Sequence, residues 1–214
     1  MPKLVIALAV VLAAVLALVG FVATRPDTYK VERSLTVHAS PEVVFGQVVD
    51  FHKWEGWSPW AKLDPDMKTT HEGEAGAVGS SYLWQGNKKV GRGKMTLAEA
   101  NPPGLLKIKL EFLEPFPSTS ETVFTFKPVE NGTNATWTMN GEHSFIGKAA
   151  ALVMDMDKMI GADFEKGLAQ LDTVASAEAK KLAEAAAAEK AAAEAAAAAA
   201  ATPPSAPAAA APVQ

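Results

Sequence analysis

The side chains best suited to bind a small molecule are aromatic and methionine residues in the middle half of the chain, residues 57–160. Aromatic rings give a pocket shape and area, and the unbranched methionine side chain adapts to irregular ligands. Plain core packing is the alternative for each of these residues. The candidate ligand-binding residues are Trp57, Trp60, Trp84, Phe112, Phe124, Trp137, Met156, Met159 and Ile160.

Residues that could perform catalysis or bind a metal are not arranged for either task. The chain has no cysteine, which excludes a thiolate nucleophile, a disulfide and a cysteine metal site. Asp155 and Asp157 are two positions apart, so they diverge on a helix and cannot act as a carboxylate pair. We predict no catalytic residue, no metal and no cofactor, since zinc-site spacings are absent from the four histidines, His38, His52, His71 and His143.

A glycine-rich segment, residues 86–94, lacks the Gly-Lys-Ser/Thr ending of a phosphate-binding loop and does not lead into a helix. We interpret it as a basic hairpin. Its four basic side chains could contact anionic lipid headgroups. They are Lys88, Lys89, Arg92 and Lys94.

Residues 4–23 carry neither a charge nor a polar side chain. As a helix, 20 residues at ~1.5 Å each span the ~30 Å core of a bilayer. A cleaved signal peptide is the alternative, but the single Lys3 and the lack of a small-x-small cleavage site favour a permanent anchor. We predict a transmembrane anchor over residues 1–26, with the bilayer as its partner.

The orientation of this anchor is weakly encoded. Arg25, Lys30 and Arg33 come after the apolar segment, and the positive-inside rule alone would place the domain in the cytoplasm. A short N-terminus before one long apolar segment is also typical of a bacterial signal anchor, which exports its C-terminal domain. We expect a single-pass membrane protein whose domain is periplasmic or otherwise extracytoplasmic.

The remaining composition predicts one globular domain over residues 27–174. The net charge of -4 provides no basic surface for nucleic acid, which we exclude as a partner. Residues 175–201 are alanine-rich and contain Lys/Glu pairs four positions apart, which predicts a helical extension. Residues 202–214 are rich in proline and alanine, which predicts a disordered tail. The oligomeric state stays open.

Alternating apolar and polar residues predict strands. The first covers residues 29–37, and Ser40 and Pro41 then form the N-cap and first turn of a short helix. A second short helix or turn carries three tryptophans. Six further strands are expected, at residues 67–72, 79–84, 91–100, 105–113, 118–128 and 133–143.

A long helix is expected over residues 147–174, because apolar residues recur there at helical spacing. They are Val153, Met156, Ile160, Phe164, Leu168 and Leu171. These elements predict an α+β fold, in which a curved antiparallel sheet of about seven strands wraps a long C-terminal helix. Two short helices come after strand 1.

Two segments carry a resemblance to a known family. They are VERSLTVHASPEVVFGQVVDFHKWEGWSPWAKLDPDM, residues 31–67, and MDMDKMIGADFEKGL, residues 154–168. Together with the element order, they resemble the SRPBCC superfamily, in its polyketide cyclase/dehydrase and lipid-transport branch. The second segment is similar to a membrane-anchored bacterial subgroup. The resemblance implies a START-like helix-grip fold with a cavity between sheet and helix, but it implies no single reaction.

Three functions are compatible with these observations. We expect a membrane-tethered domain that binds a small hydrophobic molecule or lipid, for instance an isoprenoid. The alternatives are a cyclase or dehydrase that uses the same cavity, and a protein-interaction module without a ligand. Exposed side chains at Trp57 and Trp60 would favour the interaction module.

Overall fold

A computed structural model describes residues 2–201 of the chain. The chain divides after Ser176 into two compact units. The first unit contains an N-terminal helix, a seven-stranded sheet and the helices that cover it. The predicted tail at residues 202–214 lies outside the described residues.

The N-terminal helix α1 covers Pro2–Ala23, and its side chains are exposed apart from Val22. Among the described residues it is the one helix that is long and apolar enough to cross a bilayer. The mean hydropathy of its most apolar stretch is 3.1. Length and composition therefore agree with an anchor, although a signal sequence would share both properties.

The sheet is antiparallel throughout and has the strand order β1-β7-β6-β5-β4-β3-β2. Its strands are β1 Thr28–Val37, β2 Lys68–Glu72, β3 Ser81–Gln85, β4 Arg92–Asn101, β5 Leu105–Glu114, β6 Ser118–Val129 and β7 Gly132–Glu142. Burial alternates along the central strands, as expected for a sheet with one covered face. The predicted α+β fold is confirmed.

Two short helices connect β1 to β2. Helix α2 covers Pro41–Val48, with Pro41 in its first turn and Ser40 at the N-cap. The Ser40 side chain makes no capping hydrogen bond, contrary to our expectation. A 3-10 helix comes next, at Phe51–Gly56, and the Asp50 carboxylate caps it by accepting from the His52 amide.

The expected helix over residues 147–174 is wrong at its N-terminal end. The structure has instead a short helix α3, Phe145–Ala150, and a long helix α4, Met156–Ala201. Each begins at its own capping side chain. Ser144 accepts from the Gly147 amide, and Asp155 accepts from the Lys158 amide.

Helix α4 is attached to the edge strand β1 by one arginine. Arg33 binds both carboxylate oxygens of Asp157, each at 3.0 Å, and its Nε lies 2.8 Å from Glu165 Oε1. Gly161 lies between these two acids, and a side chain there would collide with the guanidinium. The pairing raises the pKa of Arg33, chiefly through the hydrogen bonds to Asp157 and Glu165.

The second unit begins at Ala177 and contains the later part of α4. Its side chains are exposed from Lys180 to Ala198. The predicted pairs Lys180–Glu184 and Lys190–Glu194 are present, each with 3.9 Å between Nζ and Oε1. Helix α4 thus includes the predicted alanine-rich extension.

Candidate functional site

One part of the space between sheet and helix is filled by aromatic rings. Trp57 and Phe124 are 0% exposed and Trp137 is 2% exposed. Phe124 and Trp137 are opposite each other on β6 and β7, with 4.8 Å between ring centroids. Phe164 of α4 stacks on Trp137 at 4.1 Å. We call this group, Trp54, Trp57, Trp60, Phe124, Trp137 and Phe164, the aromatic cluster.

Two tryptophans of this cluster, Trp54 and Trp57, are positioned by backbone carbonyls that would otherwise be unsatisfied. The indole nitrogen of Trp54 donates to the Val48 carbonyl at 2.8 Å, and that of Trp57 donates to the Gln47 carbonyl at 3.1 Å. Both carbonyls are at the end of α2, where no further helical amide can pair with them. The tryptophan turn is therefore folded inward, against the expectation for a contact surface.

A glycine of α4 lets the helix approach the cluster closely. A Cβ atom at Gly167 would lie 2.8 Å from Cζ3 of Trp137 and 3.2 Å from Cδ of Pro59. The first distance is shorter than real Cβ contacts and the second is tighter than most, so a larger residue at position 167 would displace the Trp137 ring. The candidates Trp57, Phe124 and Trp137 are thus packed against one another, while Trp60 lies at the margin of the cluster and is half-buried.

The other end of the same inner face is incompletely covered. Cross-strand partners form a continuous row over six strands, namely Tyr82, Met95, Leu110, Ser120, Gly141 and Tyr29. Tyr82, Leu110 and Tyr29 are only half-buried. The next row toward the strand ends brings together Trp84, Gly93 and Phe112, with 5.8 Å between the two rings.

Helix α4 shows the same change along its apolar stripe. Phe164, Leu168 and Leu171 are buried, whereas Met156 and Ile160, one and two turns earlier, are half-buried. Met159 is exposed. We call the incompletely covered apolar surface the open groove. Trp84 and Ser120 are buried in its floor, and its partly exposed residues are Tyr29, Tyr82, Leu110, Phe112, Met156 and Ile160.

Polar atoms are present on the groove floor. The hydroxyl of Ser120 is buried beside the Tyr29 phenol, but it makes no hydrogen bond of good geometry within the described part of the chain. Burial raises the pKa of Tyr29, with Ser120 opposing the shift, and burial together with Glu55 raises the pKa of Tyr82. Both phenols are therefore neutral at physiological pH and can donate a hydrogen bond. Buried polar atoms normally have partners, so Ser120 is a candidate contact for a bound molecule.

Two cavities are found elsewhere in the first unit, and none of the nine predicted residues lines either. One has about 220 Å³ and lies between the end of α1 and α3. The other has about 10 Å³ and is lined by His52 and His71, whose rings stack at 4.0 Å. Within the described part of the chain, no three His, Asp or Glu side chains converge as metal ligands would.

Sequence reasoning missed four residues of the groove, Tyr29, Tyr82, Leu110 and Ser120. Strand alternation places each on a definite face, but it does not reveal which part of that face stays uncovered. The glycine-rich segment is the β3–β4 hairpin that we predicted, with residues 86–91 between the strands.

Comparison with known proteins agrees with this architecture. A curated-sequence search gives no match. A protein of unknown function from Staphylococcus aureus is 13% identical, with a TM-score of 0.52 over 72% of this chain and 97% of that one. A protein from Chromobacterium violaceum is 15% identical, with a TM-score of 0.50 over 71% and 98%.

A di-domain aromatase/cyclase of the steffimycin biosynthetic pathway is 11% identical, with a TM-score of 0.55 over 72% of this chain and 52% of that one. At such identities, these likenesses show the fold alone. The family model described as polyketide cyclase/dehydrase and lipid transport matches residues 28–176, which cover the whole sheet and the domain part of α4. This chain belongs to the polyketide cyclase/dehydrase and lipid transport family.

Proposed function

We propose that this protein is a membrane-tethered binding domain for a small hydrophobic molecule or lipid, held in the open groove. The tether is α1. The observation that supports the proposal is the difference between the two ends of one apolar face. The aromatic cluster is closely packed, whereas Leu110, Phe112 and Ile160 remain half-buried in the same fold.

An apolar ligand in the groove would complete the burial of these side chains. Removing apolar surface from water contributes roughly 25 cal/mol per Å². The Ser120 hydroxyl and the Tyr29 phenol would orient a polar group at one end of the ligand. An apolar site with a few polar groups is the usual composition of a small-molecule pocket.

The observed packing disfavours the interaction module. Exposed Trp57 and Trp60 would favour that hypothesis, but Trp57 is fully buried and Trp60 is half-buried within the aromatic cluster. Our expectation that Trp57, Phe124 and Trp137 line the ligand site stays a prediction. So does the extracytoplasmic location of the domain, and the oligomeric state remains open.

The proposal is tested by blocking the groove. Leu110→Trp adds a large side chain to the groove floor, and Lys109→Trp adds the same side chain to the opposite face of β5 as the matched control. Each full-length protein is purified from its own membrane and examined by native mass spectrometry. We expect wild type and Lys109→Trp to retain a bound apolar molecule and Leu110→Trp to lose it.

A second measurement does not depend on a co-purified molecule. The apolar probe 1-N-phenylnaphthylamine is titrated into the full chain in nanodiscs, with empty nanodiscs as the blank. Ile160→Trp blocks the groove from the helix side if Leu110→Trp does not fold. Wild-type protein that carries no molecule and shows no saturable probe binding would exclude the proposed function.

A further inference from the structure

One edge of the sheet lies beside the end of the N-terminal helix. Four residues separate Ala23, the last residue of α1, from Thr28, the first residue of β1. The register pairs Thr28 with Glu142 at the end of β7, and it pairs Phe112 near the end of β5 with Ser118 at the start of β6. These residues lie at one end of the strands, where β1, β4 and β6 begin and β3, β5 and β7 end. We call this end of the sheet the anchor-side edge. The open groove lies toward the same edge, because Trp84 and Phe112 are close to it.

Large apolar side chains are exposed along this edge. Phe116 is in the β5–β6 turn, and the α3–α4 region, residues 145–154, adds five more. They are Phe145, Ile146, Leu152, Val153 and Met154. Helix α3 contacts α1, so this region is continuous with the segment that is apolar enough to enter a bilayer. A continuous exposed apolar surface of this kind marks an interaction site.

The cavity of about 220 Å³ lies within this surface. It is lined by Arg25 and Thr28 from the α1–β1 connection, and by His143, Lys148 and Leu152 from around α3. Lys148 is buried and forms an ion pair with Asp27. Arg25 lies over the ring of Phe21 at 4.1 Å, and no carboxylate of the described chain pairs with it. One guanidinium is therefore available to an anion.

The turns at the two ends of the sheet differ in charge. The β3–β4 turn, on the anchor-side edge, carries Lys88 and Lys89, both exposed. On that edge Arg92 is paired with Glu114 at 2.9 Å. Exposed Glu74 and Glu130 are in turns at the opposite edge. Basic residues beside a membrane attract anionic lipids.

We infer that the anchor-side edge docks on an anionic bilayer and that the cavity between α1 and α3 binds the phosphate of an anionic phospholipid in the same leaflet. Arg25 contacts the phosphate, the side chains of residues 145–154 enter the interfacial region, and Lys88 and Lys89 face the headgroups. This inference rests on the tether in the proposed function but not on a ligand in the groove. It implies that the groove opens toward the bilayer.

The first experiment measures contact with lipid. The chain has no cysteine, so Val153→Cys provides a single labelling site for the fluorophore NBD. Val78→Cys is the matched control, because both valines are exposed, at 86% and 60%, and Val78 is in the β2–β3 turn at the opposite edge. The full chain is reconstituted in nanodiscs of phosphatidylcholine, with and without phosphatidylglycerol, and doxyl-labelled lipid is the quencher.

We expect NBD at position 153 to be blue-shifted and quenched, more strongly with phosphatidylglycerol, and NBD at position 78 to report water in both lipids. Equal, water-like emission at the two positions would overturn the inference.

The second experiment measures lipid selectivity. Native mass spectrometry compares the phosphatidylglycerol retained by wild type, Arg25→Gln and the far-edge control Lys127→Gln, all purified from nanodiscs of mixed lipid. Arg25→Gln should reduce the preference for phosphatidylglycerol about fivefold, as expected for one basic residue near an anionic surface, and Lys127→Gln should not.

An unchanged preference in Arg25→Gln contradicts the lipid site. Displacement of phosphatidylglycerol by excess inorganic phosphate also contradicts it and would indicate a site for free anions. Probe binding to the groove is measured on the same samples. If only the lipid-site inference is wrong, the probe still binds the groove of wild type. If the proposed function is wrong, wild type shows no saturable probe binding.

Discussion

Truncating α4 at two positions of one apolar stripe should have unequal effects on stability. Leu168 is 1% exposed and next to Gly167, which contacts the aromatic cluster. Met156 is half-buried at the open groove. The variants Leu168→Ala and Met156→Ala each remove apolar atoms from the same face of the same helix, so they compare the closed and open parts of the fold directly.

The expected magnitudes come from burial. Leu→Ala in a close-packed core costs about 2–5 kcal/mol, because a cavity adds to the lost transfer free energy. Met156→Ala removes three non-hydrogen atoms, each worth about 0.8 kcal/mol when fully buried. Because part of the Met156 side chain is still exposed, and because no enclosed cavity is created, the free energy of unfolding should fall by about 1.5–2 kcal/mol.

The assay is thermal unfolding of the full chain in one detergent, monitored by tryptophan fluorescence, which reports directly on the aromatic cluster. For a domain of this size, 1 kcal/mol shifts Tm by roughly 2–4 °C. We therefore expect a decrease of roughly 4–20 °C for Leu168→Ala and of roughly 3–8 °C for Met156→Ala. Probe affinity should change only for Met156→Ala.

Equal decreases in the two variants would refute this reasoning. They would show that Met156 is as tightly packed as Leu168 and that the groove is closed in solution. Together with the absence of saturable probe binding, that result would remove the proposed ligand site.

Two further predictions concern other parts of the chain. Deleting residues 179–214 should change Tm little, because the described side chains from Lys180 to Ala198 are exposed, and a large decrease in thermal unfolding would contradict this. Burial opposes ionisation of Asp172, but hydrogen bonds from the His38 amide, its ring and Ser176 outweigh it and hold the pKa of Asp172 below its ordinary value of 3.8. This carboxylate therefore stabilises the fold above that pH and loses its contribution as the pH falls further. The free energy of unfolding, measured in urea, should therefore decrease less at acidic pH for Asp172→Asn than for wild type.

Sequence patterns were sufficient for most of the fold. Alternation predicted all seven strands to within about two residues, because the period of two reports the face on which each side chain lies. The uninterrupted apolar segment at residues 4–23 predicted α1. No other uninterrupted apolar segment of that length occurs in the sequence. The break between α3 and α4 was missed, although Ser144 and Asp155, two ordinary capping residues, were visible.

The candidate site was predicted only in composition. Trp84 and Phe124 lie on the covered face of the sheet, and Trp57 and Met156 belong to the segments outside the sheet, but the sequence could not separate the closed aromatic cluster from the open groove. That separation depends on where α4 crosses the sheet, which is determined by long-range contacts such as Arg33 with Asp157.

Local periodicity therefore determined which side chains face inward. The uninterrupted apolar segment determined that an apolar helix precedes the domain. Tertiary structure alone decided which inward-facing side chains are covered, because coverage depends on residues far apart in the chain. The absence of a side chain at Gly167 leaves room for the Trp137 ring, whereas no described side chain completes the burial of Leu110 and Ile160. Tertiary structure also placed that uncovered surface, the basic turn and the α1–α3 cavity at one edge of the sheet, a proximity that no local pattern encodes.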